Sequence, residues 1–140
     1  MRNFTNEISK LFILFNIGGL AYVIIELLWR GSSHGSMFVL GGLCFVIIGL
    51  MNERKSMPLL CQMLIGTFII TSLELMFGYI LNIRLHLNVW DYSDMPFNIL
   101  GQICLPYMCL WFILSFFCIV IDDNIRFYIF GEEKRRYTLI

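Results

Sequence analysis

The sequence predicts an all-α fold, an integral membrane bundle of four transmembrane helices that forms one domain over residues 1–140. The first observation is composition: 59% of residues are hydrophobic and 14% are charged, against about 25% charged in soluble domains. The second is the mean hydropathy of +0.77. A domain of this size has too little interior to bury so much apolar surface away from water. The third is that the apolar residues form four runs, and a run inside a bilayer must satisfy its backbone hydrogen bonds as a helix.

These runs predict helices over about residues 8–29, 36–52, 57–81 and 98–121, followed by a cytoplasmic tail at 122–140. A spanning helix needs about 20 apolar residues, with a range of about 17–25. The second run is shorter than this, and Ser36 and Asn52 are expected to extend it into the interfaces. The first run is expected to be a retained helix rather than a signal peptide, because "WRGSSHGS" is a poor cleavage site.

The basic residues predict the orientation. Arg30 and Arg84 lie in the loops at 29–36 and 82–98, whereas the other eight of the ten Lys and Arg residues fall on the opposite side. Because Lys and Arg concentrate in cytoplasmic segments, we expect a multi-pass protein of the cell membrane with both termini in the cytoplasm. The eight residues on that side are Arg2, Lys10, Arg54, Lys55, Arg126, Lys134, Arg135 and Arg136.

A weak internal repeat relates the two halves of the chain. The segment "LGGLC" at 40–44 matches "LGQIC" at 100–104, and Glu26 late in the first helix corresponds to Glu74 late in the third. The first and third helices run the same way through the membrane, so the halves are expected to be parallel helix-loop-helix repeats.

Polar residues gather toward the outer half of the predicted membrane domain. Glu74 lies about two turns below the outer end of the third helix, and Gln102 lies in the first turns of the fourth. A charged group near the bilayer centre costs at least about 2.5–3.5 kcal/mol, so Glu74 is expected to face inward. We therefore predict an outward-facing polar pocket that binds a substrate or an ion, with these candidate residues: Glu26, Arg30, Glu74, Arg84, Trp90, Asp91, Tyr92, Asn98 and Gln102.

Structural roles compete with this hypothesis at several of these positions. Arg30 lies one helical turn after Glu26, so the two can form an ion pair that ends the helix. Glu74 can anchor one helix to another by a hydrogen bond. Trp90 and Tyr92 are also typical of the aromatic belt at a membrane interface. The sequence leaves both sets of roles open.

Several chemistries have no motif in the chain. There is no P-loop, no H-E-x-x-H and no G-x-S-x-G. The chain has two His residues and no dense cluster of acidic residues, so the sequence gives no support for a metal site. We expect no cofactor. The net charge of zero predicts no nucleic-acid partner. The five Cys residues have no C-x-x-C spacing and are interpreted as small buried hydrophobic residues.

Residues 73–117 carry a resemblance to a known family. The segments "WDYS" at 90–93, "PFN" at 96–98 and "GQICLPY" at 101–107, with Glu74 and Gly78, resemble the ABC-transporter type IV membrane protein family, a group of CmpB-like small bacterial membrane proteins. The tail "FGEEKRRYTL" at 130–139 is similar as well. The resemblance implies transport, and it points to Glu74, Trp90, Asp91, Tyr92, Pro96, Asn98, Gly101 and Gln102.

Three functions remain open from the sequence. The first is a permease-like transporter component in which Glu74 binds a proton, a cation or the cationic group of a small molecule. The second is a membrane enzyme that acts on a lipid or isoprenoid, with Glu74 or Asp91 as general base. The third is a non-catalytic scaffold or regulatory subunit. Four helices are few for alternating access, so a homodimer or a partner membrane subunit is expected beside the surrounding lipid.

Overall fold

Four helices account for most of the described residues, which are 4–54 and 57–140 of the computed structural model. They are α1 (Phe4–Arg30), α2 (Gly35–Arg54), α3 (Leu59–Gly78) and α4 (Leu105–Tyr128), and a π-helical segment, Tyr79–Arg84, continues α3. Within the described ranges, β-structure is limited to an isolated bridge between Ile99 and Ile103. The predicted all-α class is confirmed.

Three of these helical stretches are long and apolar enough to cross a membrane. They are Asn6–Arg30, Leu59–Arg84 and Leu105–Tyr128, and α2 contains a shorter apolar stretch, Gly35–Met51. Large apolar side chains on the helices face outward, such as Leu28 at 84% and Phe68 at 73% exposure. Lipid is the solvent that accommodates such surfaces, so the chain is a multi-pass membrane protein. The predicted sidedness stays a prediction, and Arg2, Lys55 and the Arg54 side chain lie outside the described residues.

The chain divides into two compact units. Unit 1 contains the described residues of 1–56 together with 118–136, and unit 2 contains residues 57–117 and 137–140. The predicted relation between parallel repeats stays a prediction.

Unit 1 is built on a close approach of α1 and α2. A Cβ atom placed on Gly18 would lie 3.1 Å from the Gly41 carbonyl oxygen, and one placed on Gly41 would lie 3.1 Å from the Gly18 carbonyl oxygen. Small residues allow helix backbones to approach in this way inside a membrane. Buried Leu14 and Ile48, both at 0% exposure, fill the core of this unit.

In unit 2 the first turn of α3 is capped by backbone rather than by a side chain. Pro58 precedes the helix and offers no side-chain cap. The Leu59 and Leu60 amides instead donate to the carbonyl oxygens of Thr138 and Leu139, at 2.7 and 3.4 Å. These bonds satisfy amides that have no partner within the helix.

The bounds of α4 differ from the predicted 98–121. The helix begins at Leu105, because Leu100 and Gly101 adopt positive φ angles of 55° and 67° that a right-handed helix excludes. Gln102 therefore lies in a turn before α4, and its predicted place within the helix is wrong. At the other end the helix continues to Tyr128, because Asp122 pairs with Arg126 one turn later.

Candidate functional site

Glu74 lies at the centre of the polar groups of unit 2. Its side chain projects from α3 and is 2% exposed. The Tyr92 hydroxyl donates to Oε1 at 3.0 Å, and the Trp111 indole Nε1 donates to Oε2 at 2.8 Å. Each carboxylate oxygen thus accepts a hydrogen bond, one from the loop before α4 and one from α4 itself. The prediction that Glu74 faces inward agrees with this burial.

Three aromatic rings stand beside this carboxylate, and we call Tyr92, Tyr107 and Trp111 the aromatic cluster. The Tyr92 ring stacks on Tyr107 with centroids 4.6 Å apart and planes 10° from parallel. The ring centroids of Tyr107 and Trp111 lie 6.0 Å apart. Trp111 follows Tyr107 by one turn of α4, and residues four apart share a helix face. Aromatic faces carry negative potential, and cages of such rings recognise ammonium groups.

A second polar network joins the end of α3 to the loop. Asn82, in the π-helical segment, donates from Nδ2 to Gln102 Oε1 at 2.7 Å, and its Oδ1 accepts from the Val89 amide at 2.7 Å. The Trp90 indole donates to the Gln102 carbonyl oxygen at 3.0 Å. Trp90 and Gln102 are 6% and 5% exposed, so both belong to the interior of unit 2.

Gly78 makes room for this network. A Cβ atom there would lie 2.5 Å from Gln102 Oε1 and 3.0 Å from Trp90 Cζ2. Both distances are shorter than normal contacts between atoms, so the loop can approach α3 because residue 78 has no side chain.

Asp91 and Asn98 shape the loop itself. Asn98 Nδ2 donates to the carbonyl oxygens of Ser93 and Met95 at 3.1 and 2.9 Å, and its Oδ1 accepts from the Gly101 amide at 3.1 Å. Hydrogen bonds from the side chain and backbone of Ser93 hold the pKa of the exposed Asp91 carboxyl below its ordinary value. Both residues therefore have a local structural role in this loop.

Arg84, Glu26 and Arg30 make local contacts. The Arg84 guanidinium lies 5.6 Å from the centroid of the Tyr79 ring. In unit 1, Arg30 Nη2 lies 2.7 Å from Glu26 Oε1, and the Ser33 hydroxyl donates to Glu26 Oε2 at 2.7 Å. The contact between Arg30 and Glu26 matches the alternative structural role given above, an ion pair at the end of the helix. Participation of these three residues in a pocket stays a prediction.

Several residues that make close contacts in the structure were not predicted from the sequence. Trp111 and Tyr107 contact the predicted site. Their spacing of four residues within an uncharged run was the feature of the sequence that could have indicated them.

In unit 1, Lys10 Nζ lies 2.8 Å from Glu132 Oε1, and Arg126 Nε lies 2.7 Å from Asp122 Oδ2. The acids after the apolar run were interpreted as the end of the helix, although their spacing with Arg126 indicates a continuing helix.

Across the part of the chain that the structure describes, no group of three or more His, Cys, Asp or Glu side chains is placed to hold a metal ion.

Comparison with protein families gives a match over most of the chain. Residues 12–135 match the model of a family described as "Putative ABC-transporter type IV". No curated protein matches the chain, and no solved structure matches it.

Proposed function

Because the chain belongs to this ABC-transporter type IV family, we propose that it is a permease-like membrane component that binds a small cationic substrate at Glu74. The aromatic cluster holds the cationic group of that substrate, and the carboxylate supplies the opposite charge.

The observation that carries the proposal is a buried carboxylate beside stacked aromatic faces. Glu74 is 2% exposed within a membrane-spanning helical stretch. Ionisable residues at such depth are costly and mark substrate or ion sites. The two hydrogen bonds from Tyr92 and Trp111 orient the carboxylate, and the Tyr92–Tyr107 stack offers faces that attract ammonium.

Access to the site is through the loop. Trp111 donates from a helix, whereas Tyr92 donates from the non-helical segment between the π-helical segment and α4. An ammonium group that replaces the Tyr92 hydroxyl at Oε1 requires a shift of this loop. Loop closure around a bound ligand is a common device in binding sites.

We infer the side of the membrane from which the substrate enters from the distribution of Lys and Arg, and the need for a partner from the small number of helices. The distribution of Lys and Arg favours a loop on the outer side of the cell membrane, so substrate enters from outside. Four helices are few for alternating access, and a homodimer or a partner membrane subunit completes the pathway. The chain has no P-loop, so any ATP hydrolysis belongs to a partner.

The test is cation-dependent stabilisation of the purified protein. Tetramethylammonium chloride is expected to raise the melting temperature in detergent relative to equal sodium chloride, and Glu74→Gln is expected to abolish that rise. Glu26→Gln is the matched control, because Glu26 is paired with Arg30 in unit 1. Equal stabilisation of the wild type by both salts, or a rise that survives in Glu74→Gln, contradicts the proposal.

A second function is favoured by the same hydrogen bonds. Glu74 ties the loop and α4 to α3 through Tyr92 and Trp111, which is what a non-catalytic scaffold subunit requires. In that case Glu74→Gln lowers the melting temperature without ligand, and no ammonium salt changes it. A tetramethylammonium-dependent rise in the wild-type protein that is lost in Glu74→Gln assigns the transporter role instead.

A further inference from the structure

Two hydroxyl groups in unit 2 are buried and have no hydrogen-bond partner in the part of the chain that the structure describes. They are Thr71 Oγ1 on α3 and Ser115 Oγ on α4. Thr71 is 7% exposed and Ser115 is 0% exposed. A buried polar atom without a partner is costly, and nearly all such atoms in folded proteins are hydrogen-bonded to protein or to ordered water. Both hydroxyl groups lie within membrane-spanning helical stretches, where lipid offers no hydrogen bond.

Two hydrogen bonds fix the relative direction of α3 and α4. Asn82, in the π-helical segment after α3, pairs with Gln102, which precedes α4. Glu74, farther back along α3, pairs with Trp111, farther along α4. Residue numbers thus fall along one helix as they rise along the other, so the two helices are antiparallel. A residue before Glu74 and a residue after Trp111 are therefore both farther from the loop that carries Tyr92.

Thr71 and Ser115 lie at the same depth beside the contact between Glu74 and Trp111, and we call them the hydroxyl pair. Thr71 lies three residues before Glu74, and Ser115 lies four residues after Trp111. Residues three or four apart share a helix face, so each hydroxyl is on the face of its helix that meets the other helix. Both lie one helical turn, about 5 Å, from that contact on the side away from the loop.

Water is the ligand that fits two hydroxyl groups. Each hydroxyl has one hydrogen to donate and two lone pairs that accept. A cation would contact the lone pairs and leave the hydrogens without an acceptor, whereas water both donates and accepts. Buried waters typically make about three hydrogen bonds to polar groups that otherwise have no partner.

We propose that the hydroxyl pair binds water between α3 and α4, and that this water extends the polar surroundings of Glu74 toward the side away from the loop. A cation that leaves Glu74 in that direction then meets water rather than an apolar layer, where a charge is costly. This consequence for a cation rests on the proposed function, whereas the water site itself does not.

Water-edited solid-state nuclear magnetic resonance of the wild-type protein in lipid bilayers tests the site. The measurement follows magnetisation that passes from water to nearby protein protons. The signals of Thr71 and Ser115 are expected to build up faster than the signal of Ser72. Ser72 is the matched control, because it lies at the same depth on α3 but its side chain is exposed on the surface of the helix. Build-up at the hydroxyl pair that is no faster than at Ser72 overturns the proposal.

Thr71→Val gives a second test, because it removes the hydroxyl and keeps the shape of the side chain. A hydroxyl that binds water loses a hydrogen bond in this variant, so we expect the melting temperature in detergent to fall. A dry, unpaired hydroxyl would be costly, and its removal would raise the melting temperature. Thr67→Val is the matched control and is expected to lower the melting temperature, because the Thr67 hydroxyl donates to the Met63 carbonyl oxygen at 2.8 Å.

Ser115→Ala applies the same test on α4 and is also expected to lower the melting temperature. A rise, or no change, in both Thr71→Val and Ser115→Ala overturns the water site. This result is independent of the tetramethylammonium response. If water reaches the hydroxyl pair and tetramethylammonium does not stabilise the wild-type protein, the proposed function fails and the water site stands. A tetramethylammonium response that depends on Glu74, without water at the hydroxyl pair, gives the opposite result.

Discussion

At the scale of single residues, Glu74 and its two donors were predictable to different degrees. A carboxylate in a long apolar run is costly, and that cost alone identified Glu74 from the sequence. Tyr92 was also among the candidates, but as one of several residues in a polar loop. Trp111 was missed, because its contact with Glu74 depends on how α3 and α4 are rotated about their axes.

The Tyr92 hydrogen bond can be tested without loss of the ring. Tyr92→Phe keeps the stacking on Tyr107 and removes the donor to Glu74. We expect the free energy of unfolding to fall by about 0.5–2 kcal/mol, the range for such bonds in membrane proteins. Reversible unfolding in mixed detergent micelles measures it. Tyr128→Phe, at a side chain that is 73% exposed, is expected to change less than about 0.5 kcal/mol.

Leu100 is held in a backbone conformation that glycine adopts more easily. Its φ is 55° and its side chain is 64% exposed, so Leu100→Gly relieves strain and loses little packing. We expect about 0.5–1 kcal/mol of added stability in the same unfolding assay. Ile99→Gly, whose backbone is in the bridge to Ile103, is the control and is expected to be destabilising. Destabilisation by both variants to the same extent would contradict the strain argument.

At the scale of helices, the sequence predicted the number and type of elements better than their ends. The run from Ile99 to Cys104 is apolar apart from Gln102, and hydropathy assigned it to α4. The chain turns there instead, as the positive φ of Leu100 and Gly101 shows. Pro106 was the available signal, because proline is accepted in the first turn of a helix and is costly in its interior. The π-helical segment at Tyr79–Arg84 has no comparable signal in the sequence.

The approach of the loop to α3 depends on Gly78. Gly78→Ala would place a methyl group against Gln102 and Trp90, which are both buried. We expect a loss of about 1–3 kcal/mol in the free energy of unfolding, typical of an overpacked core. Gly35→Ala is the matched control, because nothing lies within 4 Å of a Cβ atom there. Equal effects of the two variants would show that the loop is not packed on α3 as described.

At the scale of the whole molecule, composition and the arrangement of the apolar residues in runs were sufficient to predict a multi-pass membrane protein. Large exposed apolar side chains such as Leu28 and Phe68 are the structural counterpart of the high hydropathy. The buried charges of unit 1 were not predictable from composition, because Lys10 and Glu132 are far apart in sequence and come together only in the folded chain.

The predicted orientation can be tested by chemical labelling. In a variant that lacks the five native Cys residues, Asp94→Cys is expected to react with a membrane-impermeant maleimide in intact cells. Lys134→Cys is expected to react only after the cells are permeabilised, because positively charged segments stay in the cytoplasm. The reverse pattern would place the 82–98 loop in the cytoplasm and remove the outward access proposed for Glu74.

The most direct measurement is the infrared difference spectrum of the protein with and without tetramethylammonium, which reports whether a carboxylate meets the bound cation. A cation site at Glu74 predicts a shift of a carboxylate stretching band that disappears in Glu74→Gln and persists in Glu26→Gln. An identical band shift in Glu74→Gln, or no shift in the wild-type protein at saturating tetramethylammonium, would contradict a cation site at Glu74.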